Sequence, residues 1–429
     1  MEDKTLSRCF VFIDANKRWI EHASQMLSSG DEVYSLIITV YDDIVDSWKR
    51  ITDNVFVEPL FDKNAIEKII GIAFRKFGES THVYCETDRF LYDVSLVCRD
   101  FSIPFTCADA IVKARNKAET RKSVLPSSGL ISIHSDTLSG LNSAAKVVGF
   151  PCVLKPAMGT GSCLAYPAYA DGDIEWFVHE AQTSLAALPQ DHRWFAAGGW
   201  ICETYLKGPL VTVFVMADGR KVEAFGHARN IRQTLSECIG MGSIISGTGN
   251  IGWQEILQYA ENCCRDIGLD LGIFDVEIIL TSDGPVLVEV NPRPPGGEML
   301  SALSLVSDVD IFSYMIEIYA GSQHPTTPYF GRDVLIWKIV SAEDGNICSD
   351  VGAAIDVILG GDTVSHKLLY IQSGEVGQLD CIARVLIPAL DGREQFRCVN
   401  EKIGQLSKLL GVDLLRGDLP QLPWEKGPK

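Results

Sequence analysis

Glu277, Glu289, Asn291 and Arg293 carry the densest chemistry in this 429-residue chain. They lie in the stretch from Ile273 to Arg293, where two β-rich runs flank Ser282-Asp283-Gly284. That tripeptide suits a three-residue hairpin loop with Gly284 in the left-handed conformation. Pairing Thr281 with Pro285 then sets Glu277 opposite Glu289, and the two-residue period of a strand puts Asn291 and Arg293 on the same face. Phe274, Val276, Ile278 and Leu280, with Val286, Val288 and Val290, turn to the other face as core. Carboxylates directly opposite each other repel unless a cation sits between them. Mg²⁺ suits the arrangement, because it takes one or two carboxylates and fills its octahedron with water and phosphate oxygens; Asn291 offers a further oxygen. Arg293 presents a planar fork to a phosphate or carboxylate. A merely solvated face would not need opposed acids followed by Asn-Pro-Arg and then Pro295-Gly296-Gly297.

Upstream, Val153-Leu154-Lys155 ends a strand and runs into Pro156-Ala157-Met158-Gly159-Thr160-Gly161-Ser162. The amides of such small residues can wrap a phosphate chain, although a plain hairpin tip would read the same way. No Gly-Lys-Ser/Thr follows, so this is not a P-loop. Lys117, in Arg115-Asn116-Lys117-Ala118-Glu119-Thr120-Arg121, reads by itself as a solvated helical lysine. The segment from Trp200 to Pro209, which includes Glu203-Thr204-Tyr205-Leu206, precedes a strand, Leu210 to Met216. Its backbone edges could match the donor and acceptors of an adenine, or it could be an ordinary connection.

Elements that position these residues follow from periodicity. From Arg8 to about Ala114, strands at Cys9 to Ile13, Val33 to Thr39, Asn54 to Val57 and His82 to Cys85 alternate with helices at Trp19 to Ser28, Lys63 to Phe77 and Phe90 to Phe101. This order predicts a small parallel sheet covered by helices. No GxGxxG follows its first strand, which excludes a dinucleotide fingerprint. From Asn116 to about Gly321 glycine-punctuated hairpins dominate, with helices at Gln254 to Asp266 and Asp310 to Tyr319. Beyond Pro325 come strands at Val334 to Val340 and Ile355 to Leu359, a helix at Val399 to Leu410, and a loose tail, Pro420 to Lys429.

Composition bounds the rest. Hydrophobic residues make up 46% and charged residues 22%, a globular mixture with no apolar run of bilayer length. The charged amino terminus shows no cleavage site, and the expectation is a cytoplasmic protein. A net charge of -18 leaves no basic stripe for nucleic acid. The 13 cysteines contain no CxxC pair and read as reduced, mostly core residues.

Taken in order, Asn116 to Arg121, Val153 to Ala157 with its glycine loop, Cys202 to Leu206, and Glu277 with Glu289-Val290-Asn291-Pro292-Arg293-Pro294-Pro295-Gly296-Gly297 resemble the ATP-grasp superfamily. The particular resemblance is to its carboxylate-amine ligases of the L-amino acid ligase, or dipeptide synthetase, type. It implies a mixed α/β and α+β chain: a Rossmann-like pre-ATP-grasp domain over 1–115, an ATP-grasp domain over 116–324 with its lid at about 116–205, and a carboxy-terminal α+β domain over 325–429. Lys117 and Lys155 would contact ATP phosphates, Gly159, Thr160, Gly161 and Ser162 would form the mobile phosphate lid, and Glu203, Thr204, Tyr205 and Leu206 the adenine hinge. Glu277, Glu289 and Asn291 would ligate Mg²⁺, or Mn²⁺ in its place. Arg293, Gly296 and Gly297 would face the reacting carboxylate, with Arg293 and Lys155 as the catalytic cations. Glu237 resembles the acid that amino acid ligases direct at a substrate amine, but Met241-Gly242-Ser243 departs from the pattern that normally follows it. Family members often carry a ribose-binding glutamate where this chain has Leu210, so the ribose must be held otherwise. Arg229 and Arg232, near Glu237, are either carboxylate anchors or surface arginines.

The reaction implied is ATP-dependent joining of an amino acid or related acid to an amine or second amino acid through an acyl phosphate. Partners would be small carboxylates and amines, with no nucleic acid or membrane and with a homodimer allowed. The competing readings are a non-catalytic ATP-binding protein and another ATP-grasp enzyme, such as a carboxylase or purine-pathway ligase.

Overall fold

The computed structural model describes residues 7–15, 19–20, 30–38, 42–58, 62–125, 129–159, 163–188, 193–233, 240–249, 252–320, 327–360 and 363–426. Strands β1 (Cys9–Ile13), β2 (Glu32–Ile37), β3 (Val55–Val57) and β4 (Thr81–Cys85) form a sheet in the order β3-β2-β1-β4. Every pairing in it is parallel. β1 is buried along its whole length, which explains why it reads as an unbroken apolar run rather than an alternating one. The helices Asp42–Lys49 and Lys63–Phe77 provide crossovers, Leu91–Asp100 follows the last strand, and the Asp62 side chain caps Lys63–Phe77 by accepting from the Asn64 amide at 2.9 Å. The expected Trp19 to Ser28 helix lies mostly outside the described residues.

A smaller antiparallel sheet follows, built from β5 (Ser132–Ser135), β6 (Cys152–Pro156), β7 (Tyr166–Ala168) and β8 (Trp200–Thr204) in the order β5-β8-β6-β7. Helices Leu141–Val148 and Asp171–Ala187 cover it. The expectation of only two helices between Asn116 and Gly321 is therefore corrected: Lys117–Ser123, Leu141–Val148, Asp171–Ala187 and Met299–Val306 are helical as well. Their glycines fall at the ends. Gly149, for example, terminates its helix at φ +82 rather than interrupting it.

The large sheet comprises β9 (Leu210–Asp218), β10 (Val222–Gln233), β11 (Gly240–Ser246), β12 (Leu271–Thr281), β13 (Gly284–Asn291) and β14 (Asp333–Val340). β15 (Gly345–Ile347) and β17 (Gly374–Val376) form a separate ribbon, while β16 (His366–Leu369) and β18 (Cys381–Ala389) extend the large sheet to the order β13-β12-β9-β10-β11-β14-β18-β16. β19 (Gly417–Asp418) pairs with β10. Strands from either side of residue 325 are thus hydrogen-bonded into one surface.

Two expectations in the carboxy-terminal part fail. Ile355 to Leu359 is not a strand, because Asp350 caps a helix at Val351–Ile355 and helical turns continue through Gly360. Val351, Ile355 and Leu359 are buried at a spacing of four, the helical period that the β-branched run concealed. Nor is the chain loose from Pro420: Leu422 is buried, Trp424 meets Trp253 edge-on at 5.6 Å, and Pro423–Lys426 forms a short 3₁₀ turn. The described cysteines are all free, with some buried and others exposed. Among the described residues no helix is long and apolar enough to cross a membrane.

Gly242 sits where β11 and β14 approach closely. Its φ is +138, and a Cβ there would stand 2.0 Å from the Ile336 carbonyl oxygen. Gly242→Ala is expected to cost on the order of 3 kcal/mol, read as a fall of several degrees in the thermal midpoint followed by circular dichroism.

Candidate functional site

The helix Lys117–Ser123 begins the site. Asn116 caps it by accepting from the amides of Ala118 and Glu119, and Lys117 and Arg121 then emerge one turn apart on one face. Lys117 is buried, contrary to the solvated reading, and its ammonium lies 2.7 Å from Glu289 Oε2 and 2.7 Å from the Gly159 carbonyl oxygen. Its amide donates to Ala157 at 2.9 Å. Arg121, to which the sequence assigned no role, donates to both oxygens of Glu203 at 2.8 and 3.2 Å, and to the Val288 carbonyl at 2.8 Å.

Lys155 reaches the same Glu203 carboxylate at 2.8 Å from the neighbouring strand β6. Glu203 is 3% exposed; burial alone would raise its pKa, but Lys155 and Arg121 hold it well below the usual carboxylate range. Burial lowers the Lys155 pKa, with Glu203 opposing. The carboxylate of Glu203 is fully committed to these cations, and the Thr204 and Tyr205 amides donate to the Ile131 and Pro151 carbonyls at 2.9 and 3.2 Å, so Leu206 is where the hinge amides could turn to an adenine.

The hairpin delivers the expected opposition by a different route. Thr281 pairs with Gly284, not Pro285, which shortens the tip to Ser282-Asp283. The register then shifts between Ile278 and Glu277: Ile278 faces Leu287, whereas Glu277 faces Glu289. Val288 is the extra residue of a β-bulge, and it restores the register that the shorter tip would have lost. One more carboxylate, Asp275, lies across from Asn291.

Burial first, then the neighbouring Glu289 and Asp275, push the Glu277 carboxyl up to about 8. Burial raises Asp275 to about 6 against the pull of Arg293. Burial raises Glu289 too, but Lys117, with Lys155 and Arg293, brings it below the ordinary value. Among the described residues no three His, Cys, Asp or Glu side chains converge into a ready metal-binding group. The donor set fits a cation of the Mg²⁺ type that takes two carboxylates and draws other oxygens from water and phosphate. Asn291 donates to Asp275 at 2.8 Å, and its oxygen accepts from Arg293 at 3.4 Å.

Arg293 is held between Asp275 at 3.1 Å and Asp88 at 3.2 Å. Asp88 went unnoticed in the sequence; its signal was its place just beyond the carboxyl end of β4, where parallel sheets present functional side chains. Gly297 turns the chain at φ +63, and Arg384 and Glu298 close behind it with an ion pair of 2.6 Å. Thr160, Gly161, Ser162 and Glu237 lie outside the described residues.

A cleft of about 680 Å³ runs between the smaller sheet and the large one. Lys117, Lys155, Glu277 and Glu289 line it, together with Gly159, the hinge from Glu203 to Leu206, and Leu210. Arg232 lines it too, but Arg229 is buried in a two-pronged pair with Glu425 at 2.9 and 3.0 Å and is neither a surface residue nor a substrate anchor. Asp418, and Gln421 from the presumed tail, form part of the wall.

An antiparallel sheet facing a larger one across a cleft is the arrangement of the ATP-grasp fold. Residues 141–297 match the family model of an ATP-grasp domain. Mouse carnosine synthase is 24% identical over 264 residues, covering 57% of this chain and 31% of that protein. The chain spans less than two thirds of the first curated relatives it matches. In structure it is similar to the L-amino acid ligase of Bacillus licheniformis, with a TM-score of 0.72, 14% identity, and coverage of 96% of this chain and 99% of that one. The biotin carboxylase domain of Hydrogenobacter thermophilus 2-oxoglutarate carboxylase, solved with MgADP, superposes with a TM-score of 0.63 at 15% identity, covering 95% and 91%.

Were Glu277 to ligate a cation, its raised carboxyl would make that binding depend on pH. It binds its proton more tightly folded than unfolded, so without metal it subtracts stability as pH rises from its ordinary 4.5 through about 8. A cation must displace that proton below pH 8. Affinity for Mg²⁺, titrated calorimetrically into protein carrying ADP, should therefore rise by up to about tenfold per pH unit between roughly pH 6 and 8 and then level off. Glu277→Gln should weaken binding and flatten the dependence.

Proposed function

We propose that this chain is an ATP-dependent carboxylate-amine ligase that joins an amino acid, or an acid derived from one, to an amine or second amino acid. The observation that carries the reading is the cleft in which half-buried Glu277 and Glu289 face a cluster of Lys117, Lys155 and Arg121. Without a metal, the repulsion between these acids is met by Lys117 on Glu289 and by a retained proton on Glu277; a divalent cation would take the place of that proton. The likeness to an L-amino acid ligase over nearly the whole of both chains, and the partial match to carnosine synthase, support amide formation.

Phosphates entering the cleft would meet Lys155 and Lys117, and the hinge backbone would take the adenine. Glu277 and Glu289, with Asn291, would hold Mg²⁺, which when bound neutralises phosphate charge. Arg293, gripped by Asp88 and Asp275, keeps its guanidinium in a fixed plane near the Gly296-Gly297 turn, where it can orient the reacting carboxylate. The carboxylate attacks the γ-phosphorus of ATP, releasing ADP and forming an acyl phosphate; the amine then attacks the acyl carbon, and inorganic phosphate leaves.

One oxygen of the acid must then end in the phosphate. With ¹⁸O-labelled carboxylate, mass spectrometry of the released phosphate is expected to show one labelled oxygen per turnover; unlabelled phosphate would exclude the acyl phosphate. Glu289→Gln is expected to lower turnover by roughly a thousandfold or more with every acid-amine pair that the wild type accepts, in a phosphate-release screen.

A further inference from the structure

The carboxy-terminal strap completes a wall that the hinge leaves unfinished. β10 pairs with β9 as far as Arg229 opposite Val211, and with β19 at Arg232 opposite Asp418 and Gln233 opposite Gly417. Had β9 extended further, the same register would have set Gly208 against Arg232. The strap therefore occupies the place along β10 that β9 vacates, beside Pro209 and Leu210. It is firmly held there: Arg229 donates to the Pro420 carbonyl and grips Glu425, the Leu422 amide donates to Glu425 at 3.0 Å, and Arg393 adds a contact of 2.7 Å. Leu422 packs into the same apolar cluster as Val211.

Two side chains of this anchored segment are left uncommitted. Asp418 and Gln421 are exposed and line the cleft, and neither makes a side-chain hydrogen bond or ion pair among the described residues. Leu206, Pro209, Leu210 and Leu287 line the same cleft, and their side chains have no acceptor atoms. Nearby oxygens are already engaged: Glu203 by its two cations, and the Thr204 hydroxyl by the backbone of Ile131. A nucleotide whose base lies on the hinge has two vicinal ribose hydroxyls that must donate to something on leaving water. A carboxylate and an amide oxygen on a rigid strap suit that diol.

Resting on the nucleotide cleft of the ligase reading, we propose that Asp418 and Gln421 hold the ribose hydroxyls of ATP, so that the strap is part of the nucleotide site. The test is calorimetric binding of ATP and of 2′,3′-dideoxy-ATP at fixed Mg²⁺. Wild type is expected to bind ATP about tenfold or more tightly than the dideoxy analogue, as loss of hydrogen bonds to a charged acceptor implies. The double variant Asp418→Ala, Gln421→Ala should bind both nucleotides with the wild-type affinity for the analogue. Glu425→Ala, which frees the strap but leaves both side chains intact, should also narrow the preference. A double variant that keeps the full preference overturns the strap assignment and leaves the ligase reading standing. Absence of any ATP binding by the wild type would bring down both.

Discussion

Opposed acids in a half-buried cleft persist beside counter-charges, and this requirement organises the molecule. The interior tolerates an ionised group when it is paired and hydrogen-bonded, and removing one partner of such a pair costs on the order of 3–5 kcal/mol. One short helix supplies both critical cations. Lys117 answers Glu289 on the large sheet, and one turn later Arg121 answers Glu203 on the smaller sheet while also reaching the Val288 carbonyl of the hairpin. The two walls of the cleft are thus tied by charge to a common rod. Lys155 then shares Glu203 with Arg121, so one acid holds a cation from each of two elements.

The framework was readable where periodicity was clean. β1 and the helix Lys63–Phe77 fall where the pattern predicts them, because an unbroken apolar run and a helix with a side-chain cap each have one physical interpretation. The helices Leu141–Val148 and Asp171–Ala187 were lost among glycines that in fact stand at element ends. The opposition of Glu277 to Glu289 was also readable, but the route was not: a short tip and a bulge together reproduce what a longer loop alone would give.

Residues brought in from afar were out of reach. Asp88 and Arg293 are separated by 205 positions, and Arg121 has no local mark to distinguish it from any other helical arginine. The strap misled in a different way. Its prolines and charges resemble a frayed end, yet Glu425 is the partner that keeps the buried Arg229 of the large sheet from standing unpaired. What looked like excess length completes the large sheet's surface, and the departure at Leu210 matters less once the wall beside it is seen to come from elsewhere.

The bulge at Val288 has one more effect. Moving a residue from the hairpin tip into the strand leaves the distance along the chain between the two acids unchanged, so they still face each other. What changes is where the irregularity falls. At the tip it would meet only water; at Val288 it offers Arg121 a carbonyl on the strand itself. Ion holding and wall tethering are therefore separable by length: a chain without the extra residue would keep its acids in opposition yet lose the mooring that ties them to the helix.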